Sequence, residues 1–469
     1  MNNFKKISHF YFWVGSESVK MNNFNYVNEG KEPNFYREIF PYSEVPKIRF
    51  DGSENRIDLP ESIWITDTTF RDGQQSMTPF TVEQIVKIYD YLNKLDNNSG
   101  VIRQTEFFLY NAHDREAVLR CMDKGYKFPE ITTWIRANKN DFKLVKQMHV
   151  KETGILMSCS DYHIFKKLGL NRQEALKKYS EIVEEALSNG IVPRCHLEDI
   201  TRADFFGFVA PLVNNFMDLS KKYNIQVKIR ACDTLGLGVS FPGVEMPRSI
   251  PGIIGGLKRI CNVPSEALEW HGHNDFYCVV PNAVSAWLYG CSSVNTTLLG
   301  IGERTGNCPL EGMIFQYCQL KGKKNINLEV ITEIAEYFKK EMKYEIPVRT
   351  PFVGDDFNVT RAGIHADGIL KDEEIYNIFD TDKILNRPVV VAVNEYSGLA
   401  GIAAWINTYF KLPQKDKVSK KDERILKIKN WVDAQYEKGR TTPIANKELE
   451  IEVKRYFEEL IDIEKTRAS

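Results

Sequence analysis

This chain lacks any apolar run approaching the ~20 residues needed to cross a bilayer. One short run, from Lys5-Lys6 through Val14, is loosely like a signal peptide. However, His9 interrupts it, acidic Glu17 follows it and no small-residue cleavage site is visible, so a cytoplasmic protein is expected. Excess charge of one sign is also missing. With 62 basic and 63 acidic residues dispersed along the chain, the net charge is −1, which gives no field to hold nucleic acid or an anionic membrane. The nine cysteines are scattered, odd in number and include no Cys-x-x-Cys pair. That pattern fits free thiols in a reducing cytosol, mostly as small core residues, and not a disulfide framework.

What the chain has is length and apolar content: 469 residues, 43% of them hydrophobic, enough for one large domain with additions. Residues 1–60 are rich in aromatics, Asn and Glu, end in a segment punctuated by Pro41, Pro46 and Pro60, and read as an arm or cover. Eight short β-branched or aromatic runs follow, at 63–66, 103–109, 131–135, 154–159, 192–198, 226–232, 267–271 and 292–298. Amphipathic stretches such as 81–95, 172–188 and 203–223 separate them. Eight strand–helix repeats predict an α/β fold, a parallel (β/α)8 TIM barrel over 61–322, with its chemistry at the C-terminal ends of the strands. Residues 323–469 read as an appended, mostly helical region, with Lys415–Lys421 as a solvated linker.

The polar clusters fall at those strand ends. Glu269-Trp270-His271-Gly272-His273-Asn274-Asp275 closes the seventh strand, where a period of two aims both imidazoles at one face and lets them share a divalent cation. The first strand runs into Asp67-Thr68-Thr69-Phe70-Arg71-Asp72-Gly73-Gln74-Gln75, which offers Asp72 as a carboxylate ligand and Arg71 as a donor to a developing oxyanion. Two imidazoles and a carboxylate leave coordination positions open, as a catalytic site requires. Gly300-Ile301-Gly302-Glu303-Arg304-Thr305-Gly306-Asn307 has the wrong glycine spacing for a dinucleotide loop and follows the last strand; Asn307 can offer its amide oxygen to the metal. Arg194, His196 and Glu198 alternate along the fifth strand and face the barrel lumen, where ionisable groups need partners or a ligand. Asp233 and Thr234 add a carboxylate and a hydroxyl at the rim. His365 lies outside the barrel and, taken alone, reads as structural.

Taken in order, Asp67-x-Thr-x-Arg71-Asp72-Gly73-x-Gln75, His271-x-His273-Asn274-Asp275 and Gly302-Glu303-Arg304-x-Gly306-Asn307 resemble the DRE-TIM metallolyase family over roughly residues 60–400. The likeness is to its acyl-CoA-condensing branch, which includes isopropylmalate, homocitrate and Re-citrate synthases. It implies Asp72, His271, His273 and Asn307 as metal ligands, with manganese expected first and cobalt, magnesium or zinc as alternatives. It further implies Arg71 on the keto or enolate oxygen, Glu198 near the reacting carbons, Thr234 on the 2-oxo acid carboxylate, and His365 as an acid or base inserted into the partner subunit of a homodimer. Tyr376 is a candidate for the tyrosine that accompanies this histidine. Gln75, Glu106, Arg194 and His196 complete the expected substrate-binding set, with His196 assigned to no counterpart in the family. CoA-binding residues are not identified.

Arg194 falls where homocitrate synthases place an arginine for a distal carboxylate, so a dicarboxylic 2-oxo acid is expected. Phe107 and Phe108 are expected to shorten the cavity, and the long N-terminal arm resembles the Re-citrate type; both favour oxaloacetate with acetyl-CoA. Homocitrate synthesis from 2-oxoglutarate is the nearest alternative. A 3-hydroxy-3-methylglutaryl thioester lyase is disfavoured by the appended region with His365, and a non-enzymatic scaffold by the presence of every ligand-type residue.

Overall fold

A computed structural model of the protein describes residues 13–14, 17–18, 27, 32–323 and 325–460. Positions 5–12 of the short apolar run lie outside them. The chain divides into two compact units, one ending at Asn327 and the other beginning at Leu328.

In the first unit eight parallel strands close into a barrel. They are β1 (Trp64–Asp67), β2 (Ile102–Phe107), β3 (Glu130–Arg136), β4 (Glu152–Ser158), β5 (Val192–Glu198), β6 (Lys228–Asp233), β7 (Leu268–Gly272) and β8 (Ser293–Thr296). β8 pairs with both β7 and β1, so no edge is left open. The helices α1 (Val82–Asp96), α2 (Ala112–Met122), α3 (Phe142–Gln147), α4 (Arg172–Ser188), α5 (Ala210–Tyr223), α6 (Ile250–Arg259), α7 (Val279–Leu288) and α8 (Leu310–Lys321) follow the strands in turn. This is the (β/α)8 barrel expected from the alternation of periods two and 3.6. All eight predicted strands form, with ends shifted by no more than two residues and β5 matched at both ends.

Local chemistry sets the helix ends. Thr81 accepts from Gln84 N while the Gln84 side chain accepts from Thr81 N, a capping box that starts α1. Asn171 and Glu174 do the same for α4. Along α1, Ile85, Ile88, Tyr89, Leu92 and Leu95 recur at helical spacing and are buried, while outward-facing Ile65, Ile155, Leu197 and Ile229 of the strands are also buried. The apolar core therefore lies between barrel and helices.

The lumen differs from the branched-aliphatic filling usual in this architecture. Gln104, Glu106, Arg194, His196, Arg230 and Glu269 are all buried there. Residues 34–51 run over the loops at the C-terminal ends of the strands, and residues 55–61 reach the C-terminal ends of α6, α7 and α8 at the opposite face, where Asp58 N donates to the Leu288 carbonyl and Arg259 to Asn55. Asn34 N donates to Asp161 Oδ2 after β4, and Arg248 after β6 donates to the carbonyls of Lys47 and Leu237.

The second unit contains the helices α9 (Val330–Lys340), α10 (Gly363–Lys371), α11 (Thr381–Leu385), α12 (Leu399–Tyr409), α13 (Glu423–Glu437) and α14 (Asn446–Lys454). A short parallel pair, β9 (Val359–Thr360) with β10 (Val390–Val391), accompanies them. Its core gathers Val391, Trp405, Ile406, Ile428, Leu449 and Phe457. The expected linker Lys415–Lys421 is pinned at its centre, because Asn407 of α12 exchanges two hydrogen bonds with the Val418 backbone.

Candidate metal centre and active site

The site begins at the end of β1. The buried Asp67 carboxylate accepts from Thr69 N, Thr69 Oγ1 and Thr105 Oγ1, and burial pushes its pKa up to about 6. These bonds fix a wide π-type turn over Thr69–Gly73, which carries Arg71 and Asp72 inward.

At the end of β7, His271 and His273 place Nε2 atoms 3.5 and 3.8 Å from Asp72 Oδ2. One donor atom from each of the three lies within 4.8 Å of the others. Burial would raise the Asp72 pKa, but the Arg71 guanidinium, the foremost of its positive neighbours, holds it well below the usual carboxylate range. Burial also pushes the His271 pKa down to about 3 and lowers that of His273, which favours the neutral, ligating form of each ring. The His271 tautomer is set by Asn295, whose Oδ1 lies 2.8 Å from Nδ1. That contact leaves Nε2 facing Asp72. Nothing in the sequence motif singled out Asn295.

An isolated bridge pairs His273 with Asn307, joining the loops after β7 and β8. Asn307 Nδ2 donates to Asp72 Oδ2 at 2.8 Å, and its Oδ1 is buried without a partner. Gly306 makes this possible: with φ near +90°, any Cβ there would stand 2.2 Å from the Gly300 carbonyl. Arg304 ties the rim together through Asp275 at 2.8 Å and the Thr234 carbonyl at 2.6 Å. A carboxylate, two neutral imidazoles and an orphaned amide oxygen make a donor set suited to a hard or borderline divalent cation.

The remaining expected residues divide into groups. Glu106 is fully buried and accepts from Arg71 Nε at 3.0 Å, Arg194 Nη2 at 2.9 Å, Arg230 Nη1 at 3.0 Å and Thr68 Oγ1 at 3.2 Å. These positive neighbours, led by Arg230, outweigh burial and hold its pKa well below the usual carboxylate range. Arg194 also bonds Gln104 and Thr132 and pairs with Glu152 and Glu269. Its guanidinium fork, expected as a distal-carboxylate clamp, is therefore turned to barrel carboxylates and not to the mouth. Gln75 is exposed at the rim. Thr234 Oγ1 accepts from Asp199 N at 2.8 Å.

Glu198 is engaged by a group that sequence reasoning missed: Ser158, His163 Nδ1 at 3.0 Å and Lys167 Nζ at 2.9 Å. Burial opposes them, yet the His163 and Ser158 bonds bring the Glu198 pKa down to about 2. The available signal was a histidine and a lysine four apart just beyond β4. One expectation is corrected. Phe107 points away from the lumen, stacking on Phe70 at 4.7 Å, because its neighbour Glu106 points in. Only Phe108 faces the mouth, edge-on to Trp134 at 5.5 Å, and Arg71 lies over the same indole at 5.6 Å. In the second unit His365 is exposed, with its ring 4.3 Å from that of Tyr376.

A closed parallel barrel with Asp, two His and an Arg converging at the C-terminal ends of β1 and β7 is the architecture of a metal-assisted enzyme. The chain belongs to the HMGL-like family, whose model matches residues 62–338, and this family works with a divalent metal. The chain is 66% identical to the "Citrate (Re)-synthase" of Clostridium kluyveri over 455 residues, covering 97% of this chain and 99% of the relative. It is 53% identical to that of Syntrophus aciditrophicus, covering 93% and 70%. It is 37% identical to the "2-phosphinomethylmalate synthase" of Streptomyces hygroscopicus, covering 92% and 98%.

Proposed function

We propose that the protein is an acyltransferase that condenses acetyl-CoA with oxaloacetate to give citrate and free CoA. The observation that carries this reading is 66% identity over nearly the full length of both chains to a Citrate (Re)-synthase. Asp72, His271 and His273 would hold a divalent metal, with the orphaned Asn307 oxygen as a fourth donor, and such a metal would supply Lewis-acid polarisation of the 2-oxo acid's keto carbonyl. Manganese is the first candidate.

Arg71 is locked between Asp72 and Glu106, which pre-organises a cation beside the oxygen that gains negative charge. The Thr234 hydroxyl accepts from Asp199 N at 2.8 Å and donates at 3.5 Å to the Cys232 carbonyl, a long bond that the 2-oxo acid carboxylate replaces as acceptor. Glu198, ionised and braced by His163 and Lys167, lies beside the reacting carbons.

His365 takes the methyl proton of acetyl-CoA. Its exposure, among exposed Ile364, Ile375, Tyr376 and Ile378, supports its delivery to the barrel of a second copy in a homodimer. The nine free thiols fit a cytoplasmic setting. The test is CoA release by metal-loaded protein offered oxaloacetate, 2-oxoglutarate and 2-oxoisovalerate separately. Oxaloacetate is expected to be preferred, and preference for either other acid overturns the reading.

A further inference from the structure

The turn Tyr162–Lys167 that brings His163 to Glu198 also meets the N-terminal arm. Tyr162 donates to the Phe35 carbonyl at 2.6 Å, and the two rings lie 4.7 Å apart. Cations crowd on this aromatic pair. Arg37 lies 5.2 and 5.6 Å from the centroids of Phe35 and Tyr162, and Lys166 lies 4.5 and 5.7 Å from them. Arg202, from the loop after β5, lies 4.0 Å from Tyr162.

These cations are neutralised unequally. Arg202 is bound by the buried Asp199 carboxylate at 2.9 Å. Arg37 gives a hydrogen bond of 3.4 Å to the Phe40 carbonyl, and among the described residues neither it nor Lys166 has a carboxylate partner. Both are exposed. An aromatic face holds a cation in place without cancelling its charge, so two neighbouring positive groups are fixed here with their repulsion unrelieved. A bound anion relieves it.

We infer that Arg37 and Lys166, stacked on Phe35 and Tyr162, bind the nucleotide phosphates of acetyl-CoA, the 3′-phosphate above all. This rests on the reading of the protein as an acetyl-CoA condensing enzyme. Acetyl-CoA carries all its charge on phosphates at the end remote from the reacting methyl group. The turn serves both ends: Tyr162 and Lys166 meet the arm, while His163 and Lys167 brace Glu198 at the mouth. The arm thus completes a substrate site, and Asn34 N, donating to Asp161 Oδ2 at 2.8 Å, anchors it immediately before that turn.

The test offers acetyl-CoA and 3′-dephospho-acetyl-CoA, each with oxaloacetate, to metal-loaded native protein and to the Arg37→Gln/Lys166→Gln double variant, and follows release of free thiol. Native protein is expected to favour acetyl-CoA in kcat/KM by about tenfold or more, the scale of one charge-assisted hydrogen bond. The variant is expected to lose that preference through a raised KM for acetyl-CoA, with kcat and the KM for oxaloacetate unchanged. Calorimetry with adenosine 3′,5′-bisphosphate, adenosine 5′-phosphate and inorganic phosphate reads the site apart from turnover. Native protein should bind the bisphosphate most tightly, and the variant should not distinguish it from the 5′-phosphate. If native protein releases no thiol with oxaloacetate, the functional reading fails. If it does and the variant keeps the native preference, or inorganic phosphate binds native protein as tightly as the bisphosphate, the phosphate assignment alone is overturned.

Discussion

Arg71 and Glu106 are joined at 3.0 Å inside the barrel, and the same guanidinium reaches Asp72 at 2.8 Å. One arginine thus connects a carboxylate of the candidate metal centre to a charged lumen in which Glu106 balances Arg194 and Arg230 as well. Glu106→Gln keeps the size but removes the charge. A buried ion network that loses one partner is destabilised by roughly 3 to 5 kcal/mol, so a lowered denaturation midpoint is expected. In whatever fraction remains folded, kcat should fall by about a hundredfold because Arg71 is no longer held. Unchanged kcat and midpoint would show that Arg71 is positioned by other contacts.

Asn295 is expected to matter for metal binding although it donates no atom to the centre. Its Oδ1 holds His271 Nδ1–H at 2.8 Å and so keeps Nε2 free. Loss of such an outer hydrogen bond costs about 10- to 100-fold in metal affinity. Asn295→Ala should show that loss in a metal titration, with the fold intact by circular dichroism.

Glu311, fully buried on α8, accepts from Leu299 N at 3.0 Å, and burial pushes its pKa up to about 7. Between the ordinary carboxylate value near 4.5 and pH 7 the native state holds a proton that the unfolded state has released, so Glu311 makes stability fall as pH rises through that window. Glu311→Gln keeps the acceptor and removes the titration. Compared with native protein, its unfolding free energy should decline less from pH 4.5 to pH 7, by up to about 3 kcal/mol. Parallel curves for the two proteins would mean that Glu311 is ionised when folded.

If His365 acts in the barrel of a second copy, a His365→Ala chain and an Asp72→Ala chain are each inactive alone. Refolded together they should regain CoA release, since one mixed dimer carries an intact Asp72 barrel and an intact His365. No regain under conditions where the two native chains form dimers would place His365 outside that role.

The sequence by itself determined the barrel and the outline of its mouth. Strand and helix follow from periods of two and 3.6 that are local to each segment, and both His-x-His and Arg71-Asp72 sit at strand ends where the architecture exposes them. The parity that turns Phe107 away from the lumen was also legible, since Glu106 beside it points in. Only the tertiary structure decided the partners. Arg194 meets Gln104 across 90 residues of sequence and Glu106 across 88. His163 meets Glu198 across 35, and His196 meets Gly154 on the neighbouring strand. The reason is physical: a side chain's direction is set by its own strand, but its neighbours are set by the register and stagger of a closed sheet, which no local pattern encodes.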